Sequence, residues 1–233
     1  MELSSKRTEN NGRIFTATHH GNVLGYVAID STVSSRSCGG LRMLPDIDEL
    51  EIQALARSMT LKYGFLGLPQ GGAKAGVFGN PEAPQQERLE RLVEFGHAIK
   101  PLLCTKAYVP SSDMGTQNTD IRYMLNALGV RVGRRELQDN SSGHYTAHSV
   151  FAGVVQSARH IGLNLSKCMA AIEGFGNVGK PLASLLVSAG IKVAAISTSR
   201  GALYNPQGLH VERLTQLAEE AGSRALELYH DAE

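Results

Sequence analysis

The sequence has no tryptophan, only three cysteines, and no apolar run close to the roughly 20 residues that a membrane-spanning helix needs. Cys38, Cys104 and Cys168 are widely separated, odd in number and form no Cys-x-x-Cys pair, which argues against a disulfide framework and a zinc ribbon. No metal site is expected. A dominant charge is also missing: 23 Lys and Arg stand against 22 Asp and Glu, for a net charge of +1. Nothing therefore marks nucleic acid or an anionic membrane as the partner. The opening segment, MELSSKRTENNGR, is polar and lacks the apolar core of a signal peptide. It reads as a lead-in, and a reducing cytoplasm is the expected compartment. Internal repeats and low-complexity tracts are absent.

What is present is an ordinary globular balance, 42% hydrophobic and 19% charged over 233 residues, enough for one large domain or two modest ones. Arg13 to Thr18 and Val23 to Asp30 read as two strands around His20-Gly21-Asn22, a hairpin signal. Asp48 to Tyr63 reads as a helix with Ile52, Leu55, Ala56 and Met59 on one face. A second helix after Pro84 carries Leu89, Leu92, Val93 and Gly96 inward. A third, after Thr116, carries Ile121, Met124, Leu125 and Leu128. The polar stretch DNSSGHYT from Asp139 marks a domain boundary, dividing the chain into residues 1–140 and 141–233. Beyond it, Thr146 to Ile161 reads as a helix with Val150, Phe151, Val154, Ala158 and Ile161 inward. Met169 to Ile172 and Ile191 to Ser197 read as buried strands, and Val211 to Glu233 as one last helix.

Between those two strands lies Gly174-Phe175-Gly176-Asn177-Val178-Gly179, opening a helix at Lys180. A lone G-x-G-x-x-G is a weak signal, but strand, glycine turn, helix and second strand in this order are the context that a dinucleotide-binding turn requires. Gly174 permits the tight turn, Gly176 a close approach to a pyrophosphate, and Gly179 close packing of helix on strand. The anion would sit at the helix N-terminus. The competing interpretation is a glycine-rich turn with no ligand. The second strand should end on a carboxylate for the ribose of NAD. It ends instead on Ser197-Thr198-Ser199-Arg200, and hydroxyls beside a cation suit a 2′-phosphate, so NADP is favoured over NAD.

Lys62 continues the 52, 55, 59 stripe and is expected to aim inward, where a cation needs an anionic partner. The competing reading, a lysine snorkelling at a helix C-terminus, fits better for Lys62 taken alone. Lys74 follows Gly71 and Gly72, which would let the backbone approach a ligand. GLPQGGAKAG lacks the Gly-Lys-Ser/Thr of a P-loop. Two lysines converging on one pocket would depress each other's pKa, and a lysine tuned toward neutrality is a general base. Asp113, ahead of the third helix, is either an N-cap or a carboxylate that shuttles protons for amine chemistry.

Taken together, Gly39-Gly40-Leu41-Arg42-Met43, Met59-Thr60-Leu61-Lys62, Gly71-Gly72-Ala73-Lys74, Pro110-Ser111-Ser112-Asp113-Met114-Gly115-Thr116, the glycine turn and the 201–208 stretch GALYNPQG follow one another as in the Glu/Leu/Phe/Val amino-acid dehydrogenases. The chain resembles that family over residues 22 to 210. The resemblance implies an α/β protein with a substrate and oligomerisation domain followed by a partial Rossmann-like domain. It implies that Lys62 binds the substrate α-carboxylate, Lys74 activates water, Asp113 moves protons at the substrate nitrogen, and Thr146 lies beside the nicotinamide. It also implies reversible NAD(P)-dependent oxidative deamination of an amino acid to a 2-oxo acid and ammonia, in a homo-oligomer.

Three departures qualify this. Glutamate-specific members carry lysine before the Gly39-Gly40 pair and leucine- or phenylalanine-type members carry leucine; here it is Cys38, small and apolar. That points to an apolar substrate side chain, hence to the leucine/phenylalanine type. Thr198 replaces the acidic ribose ligand. Only two nucleotide-domain strands are recognisable before Glu233, so this chain is expected to be C-terminally truncated, to leave an apolar sheet edge open and to bind cofactor weakly. The competing functions are a glutamate dehydrogenase, and a non-catalytic paralogue serving as a binding or assembly module.

Overall fold

The computed structural model describes residues 1–8, 11–131 and 142–229, and the chain divides into two compact units, Met1–Asp139 and Asn140–Glu233. The boundary placed after residue 140 lies outside the described residues, as do residues 230–233 of the final helix.

In the first unit, β2 (Arg13–His19) and β3 (Asn22–Ile29) form the hairpin. Its link is His20-Gly21, with φ of +48° and +79°. Both values are positive, as the two-residue primed turns that match strand twist demand. The polar lead-in is in fact a strand, β1 (Glu2–Arg7), paired along its length with β2. Its residues are mostly exposed, so no alternation of apolar side chains announces it; backbone pairing at the sheet edge holds it.

Two further strands, to which the sequence pattern assigns no element, are β4 (Ser37–Leu44) and β5 (Gly71–Phe78). Glycine is depleted in strands, which hid them. With β6 (Val109–Ser112) they complete a six-stranded sheet in the order β1-β2-β3-β5-β4-β6, where β4 runs parallel to both β5 and β6. The helix α1 (Glu49–Phe65), N-capped by Asp48, crosses between β4 and β5. It covers one sheet face through Ile52 and Ala56, against Ile14, Ala28 and Ile47. The opposite face is covered by α2 (Gln85–Ala98), α3 (Lys100–Cys104) and α4 (Asn118–Ala127), whose Leu92, Phe95, Ile99, Ile121 and Met124 pack on Val27, Leu41, Met43, Ala73, Ala75 and Val77.

The strand glycines serve this packing. A Cβ on Gly72 would overlap the backbone nitrogen of Thr60 in α1, and one on Gly71 would overlap the Ser31 carbonyl. The pair permits a helix and a neighbouring strand to approach, where the sequence had suggested room for a ligand.

The second unit holds α5 (Ser142–His160), β7 (Met169–Glu173), α6 (Gly179–Ser188), β8 (Lys192–Thr198), β9 (Gly201–Tyr204), α7 (Val211–Ala221) and α8 (Ala225–Leu228). The unit β7–α6–β8 is a parallel crossover, and β9 adds an antiparallel third strand, giving the order β7-β8-β9. The expectation of two strands is thereby corrected: β8 is central and paired on both sides. Its core joins Ile172, Leu186, Val193, Ile196, Leu214 and Leu217. This is a partial Rossmann-like arrangement.

Two helix readings also change. On α5 the packed residues are Ala147, Phe151 and Ala158, while Val150, Val154 and Ile161 are exposed. Phe151 and Ala158 of the sequence stripe are thus packed, and its other three residues lie off that face. The final helix breaks at Gly222, where φ is +59°, a conformation that ends a right-handed helix.

Candidate functional site

Strand alternation decides what β4 and β5 present to the α1 side of the sheet. Leu41 and Met43 of β4, and Ala73, Ala75 and Val77 of β5, enter the core under α2 and α4. Cys38, Gly40, Arg42, Gly72, Lys74 and Gly76 point the other way. Lys74 is 6% exposed and its Nζ lies 2.5 Å from Asp113 Oδ2. Arg42 Nε donates to the same oxygen at 3.1 Å, and Arg42 Nη1 meets Glu51 Oε1 of α1 at 2.6 Å. The result is a chain of four charges, Glu51–Arg42–Asp113–Lys74. Gly40 makes room for it: a Cβ there would lie 2.7 Å from Asp113 Cβ and 3.3 Å from Lys74 Nζ.

Asp113 follows β6 and is not an N-cap. The cap of α4 is Gln117, whose N–H donates to Asp120 Oδ2 at 2.9 Å in a capping box. Asp113 is fixed by its own turn: its N–H donates to Thr116 Oγ1 at 3.0 Å, and that hydroxyl donates to the Leu41 carbonyl at 2.7 Å. Gly115, with φ of +75°, passes against the Met43 carbonyl, where a side chain would not fit. Burial works to raise the Asp113 pKa, but the Lys74 hydrogen bond and charge, with Arg42 behind them, hold it below the usual carboxylate range.

Of its two sequence readings, Lys62 takes that of an exposed lysine near a helix C-terminus, not the inward one. The buried residues of α1 are Ile52, Ala56 and Tyr63, so Lys62 is turned to the exposed flank and its ammonium has no ion-pair partner among the described residues. A step of 3, 4 and 3 from Ile52 drifts off the packed face. The partner that Lys74 has is accordingly a carboxylate, not a second lysine.

Cys38, half-buried on β4 opposite Gly72 and Val109, was read as apolar. Its thiol shares a hydrogen bond with the buried Tyr63 hydroxyl, so the position is uncharged but polar. Burial first, then the contact with Cys38, pushes the Tyr63 pKa above its ordinary value. Nearby, the wholly buried Tyr108 donates to the Gly39 carbonyl at 3.1 Å. Gly39 lies against Ala73, where a Cβ would overlap the carbonyl. Sequence reasoning missed Arg42, Glu51, Tyr63 and Tyr108. Arg42 stood inside a quoted motif; Glu51 and the two tyrosines carried no local signal.

In the second unit the glycine turn has the form that a dinucleotide needs. Gly174 has φ of +89° and donates its N–H to the Ser197 carbonyl at 3.0 Å. The space beyond the Gly176 α-carbon is open, and a Cβ on Gly179 would overlap the Gly174 carbonyl. No side chain caps α6 at Val178; within its first turn Lys180 donates its N–H to the Gly176 carbonyl at 3.1 Å and Pro181 has none, so an anion would meet the helix start at Gly179. These features fit a pyrophosphate. Asn177 is exposed and Phe175 is buried in the unit's core, anchoring the turn rather than offering a ring to a ligand. Thr146 is exposed in the second turn of α5, which begins earlier than expected, at Ser142. Thr198 closes β8, and its Oγ1 accepts the Arg200 N–H at 3.2 Å across the tight link to β9.

Two family models match the chain: the dimerisation domain of Glu/Leu/Phe/Val dehydrogenases over residues 13–129, and the glutamate/leucine/phenylalanine/valine dehydrogenase domain over residues 140–233. A glutamate dehydrogenase of Thermotoga maritima is 34% identical over 216 residues, covering 85% of this chain and 51% of that protein. An NAD-specific glutamate dehydrogenase of Staphylococcus aureus (strain COL) is 31% identical over 211 residues, again with 85% and 51% coverage. Among solved structures, the hetero-hexameric glutamate dehydrogenase of Thermus thermophilus in its leucine-bound form aligns with a TM-score of 0.72 at 21% identity, over 95% of this chain and 54% of that one. The chain spans about half the length of the curated relatives it matches. Those relatives bear the name glutamate dehydrogenase, so the lean toward a leucine/phenylalanine type finds no support in them. At the level that the family models resolve, the chain belongs to the Glu/Leu/Phe/Val dehydrogenase family.

Proposed function

We propose that this chain supplies the substrate unit and part of the nucleotide unit of an NAD(P)-dependent amino-acid dehydrogenase, which interconverts an L-amino acid with its 2-oxo acid and ammonia. The observation that carries the reading is the buried Lys74–Asp113 contact at 2.5 Å, backed by Arg42. At that distance amine and carboxylate can exchange a proton, against the ammonium–carboxylate form that holds Asp113 below its usual range at rest. Passing it to Asp113 leaves Lys74 a neutral amine, able to take a proton from water attacking an imine carbon. Asp113 then returns the proton to the departing nitrogen. Lys62, exposed on α1, is the cation proposed for the α-carboxylate, while Gly40 makes room for the Lys74–Asp113 pair and Gly39 for the close approach of β5. The nicotinamide dinucleotide supplies the hydride acceptor. Gly174 to Gly179 are proposed to hold its pyrophosphate and Thr146 its nicotinamide end. Without a carboxylate at Thr198 and with Arg200 close by, NADP is proposed to bind at least as well as NAD.

An uncharged side chain is the substrate class that Cys38 and Tyr63 favour, because a carboxylate placed there would lose water without gaining a cation. A second reading, glutamate, is favoured by the names of the relatives. By analogy with the hexameric neighbour, the protein is proposed to assemble through copies of its first unit.

The test is ammonia-dependent oxidation of NADH and NADPH with a panel of apolar and acidic 2-oxo acids, run on this chain and on any longer form of the protein. Activity lost in Lys74→Ala, with dinucleotide binding retained, is the expected result. Near-wild-type turnover in that variant would remove Lys74 from the mechanism. Absence of turnover with every substrate and length would leave the assembly-module reading in its place.

A further inference from the structure

Two histidines that take no part in either site face each other on α5. His144 and His148 are one helical turn apart and both exposed; their Nε2 atoms lie 3.1 Å from each other, with ring centroids 4.7 Å apart and planes at 77°. Spacing of i and i+4 places them on one face, as in the helices of zinc enzymes that ligate through two histidines.

The separation is the informative quantity. Imidazole nitrogens bind zinc at about 2.0 Å. Two of them 3.1 Å apart subtend about 100° at a shared ion, between the square-planar and tetrahedral angles. With no ion, the same pair is a single hydrogen bond in which one ring donates N–H and the other accepts. Imidazole is a good ligand for zinc, nickel and copper and a poor one for magnesium or calcium. Among the described residues no group of three or more His, Cys, Asp or Glu is placed to hold a metal, so water completes the coordination. The positive end of the α5 dipole opposes a cation, but at an exposed, screened position that effect is small beside two coordinate bonds.

We propose that His144 and His148 form a two-histidine chelate for one borderline divalent metal ion, of the zinc, nickel or copper class, clamping the first two turns of α5. The clamp has a neighbour. Gly143 lies so close to Asn177 of the glycine turn that a Cβ on it would overlap the Asn177 carbonyl. An ion that binds only the helical form of this segment stabilises it by mass action, and with it the surface on which that turn rests.

The experiment is calorimetric titration of the chelator-stripped chain with zinc chloride, alongside His144→Ala, His148→Ala and the double variant. Both rings are exposed, so circular dichroism should confirm that all variants keep their fold. One zinc per chain is expected to disappear in the double variant. Loss of an outer partner of a metal ligand already costs about tenfold or more, so each single variant should weaken binding at least that far. The ring nitrogens of both histidines should shift in long-range proton–nitrogen spectra when zinc is added. Wild-type binding surviving in the double variant would place the ion on other residues and overturn the proposal. So would failure of the wild type to bind zinc at millimolar concentration.

Discussion

Lys74 and Asp113 share a proton-transfer distance of 2.5 Å while Lys74 is almost wholly buried, and the second cation on the same carboxylate oxygen is Arg42. Such a cluster is costly to take apart by halves. Asp113→Asn leaves the Lys74 ammonium buried without its counter-charge. Breaking a buried pair in this way costs about 3 kcal/mol at the lower end of what such pairs show. Urea denaturation of the first unit should read that loss, and Lys74→Met combined with Asp113→Leu should recover much of it. Equal stability of Asp113→Asn and wild type would show that the pair is open to water.

The same carboxylate sets an acid limit. Its folded pKa lies below its unfolded value of about 3.9. The stabilisation it contributes is therefore complete above that value and lost as pH falls through the folded pKa. Stability curves of wild type and Asp113→Asn should run apart at neutral pH and converge below about pH 4. Glu94, where burial is outweighed by contacts with His19 and Arg91, contributes with the same sign. A gap between the two curves that persists unchanged into strong acid would contradict the assignment.

The glycines of the second unit separate fold from binding. Gly179→Ala forces a methyl group onto the Gly174 carbonyl and should destabilise the unit by about 1–3 kcal/mol. Gly176→Ala points into open space and should leave thermal stability unchanged while weakening the dinucleotide. Thermal melts and fluorescence titrations of the two variants distinguish these outcomes. Identical behaviour would mean that the turn is only structural.

Cofactor choice tests the Thr198 reading. Thr198→Asp should move preference toward NAD by repelling a 2′-phosphate. Fluorescence titration with NADH and NADPH gives the ratio directly. A strong wild-type preference for NADH would show that Thr198 and Arg200 do not read the phosphate.

Cys38→Lys bears on the substrate. Supplying a cation beside Tyr63 should raise the preference for glutamate over leucine by at least about 10-fold, the low end of what even one methylene in an apolar pocket commands. A wild type that already favours glutamate a hundredfold would transfer the γ-carboxylate to another partner.

Much of the architecture was legible because it rests on local chemistry. The His20-Gly21 hairpin, the helix from Asp48, the α2 and α4 faces and the glycine turn all follow from residues close in sequence. What escaped has a physical reason in each case. Strands β4 and β5 carry glycines because α1 and neighbouring chain pack directly on them, which erases the β-branched signature. Strand β1 is held mainly by backbone pairing, with only Leu3 reaching the core and Lys6 paired to Glu49. Lys74 and Asp113 were found as residue types in suggestive surroundings, yet the oxygen they share with Arg42, and Glu51 behind it, depends on strands that meet only in the folded sheet. For Lys62 the inward stripe fails, because a stripe read from side-chain size alone ignores which residues the sheet admits, and the exposed position near the helix C-terminus stands.

The alternation along β4 and β5 has a consequence for how this gene tolerates change. On β5, Ala73, Ala75 and Val77 are core while Gly72, Lys74 and Gly76 face α1; on β4, Leu41 and Met43 are core while Gly40 and Arg42 face α1. An in-frame deletion or insertion of one codon within either strand exchanges the two sets. It would drive Lys74 or Arg42 into the hydrocarbon beneath α2 and turn valine and methionine toward the charged cluster. Deleting two codons keeps the side-chain parity and shifts only the pairing register. Codon-scale deletion scanning should therefore show an odd–even pattern of survival across these two strands, and no such pattern in the link between Asn80 and Pro84.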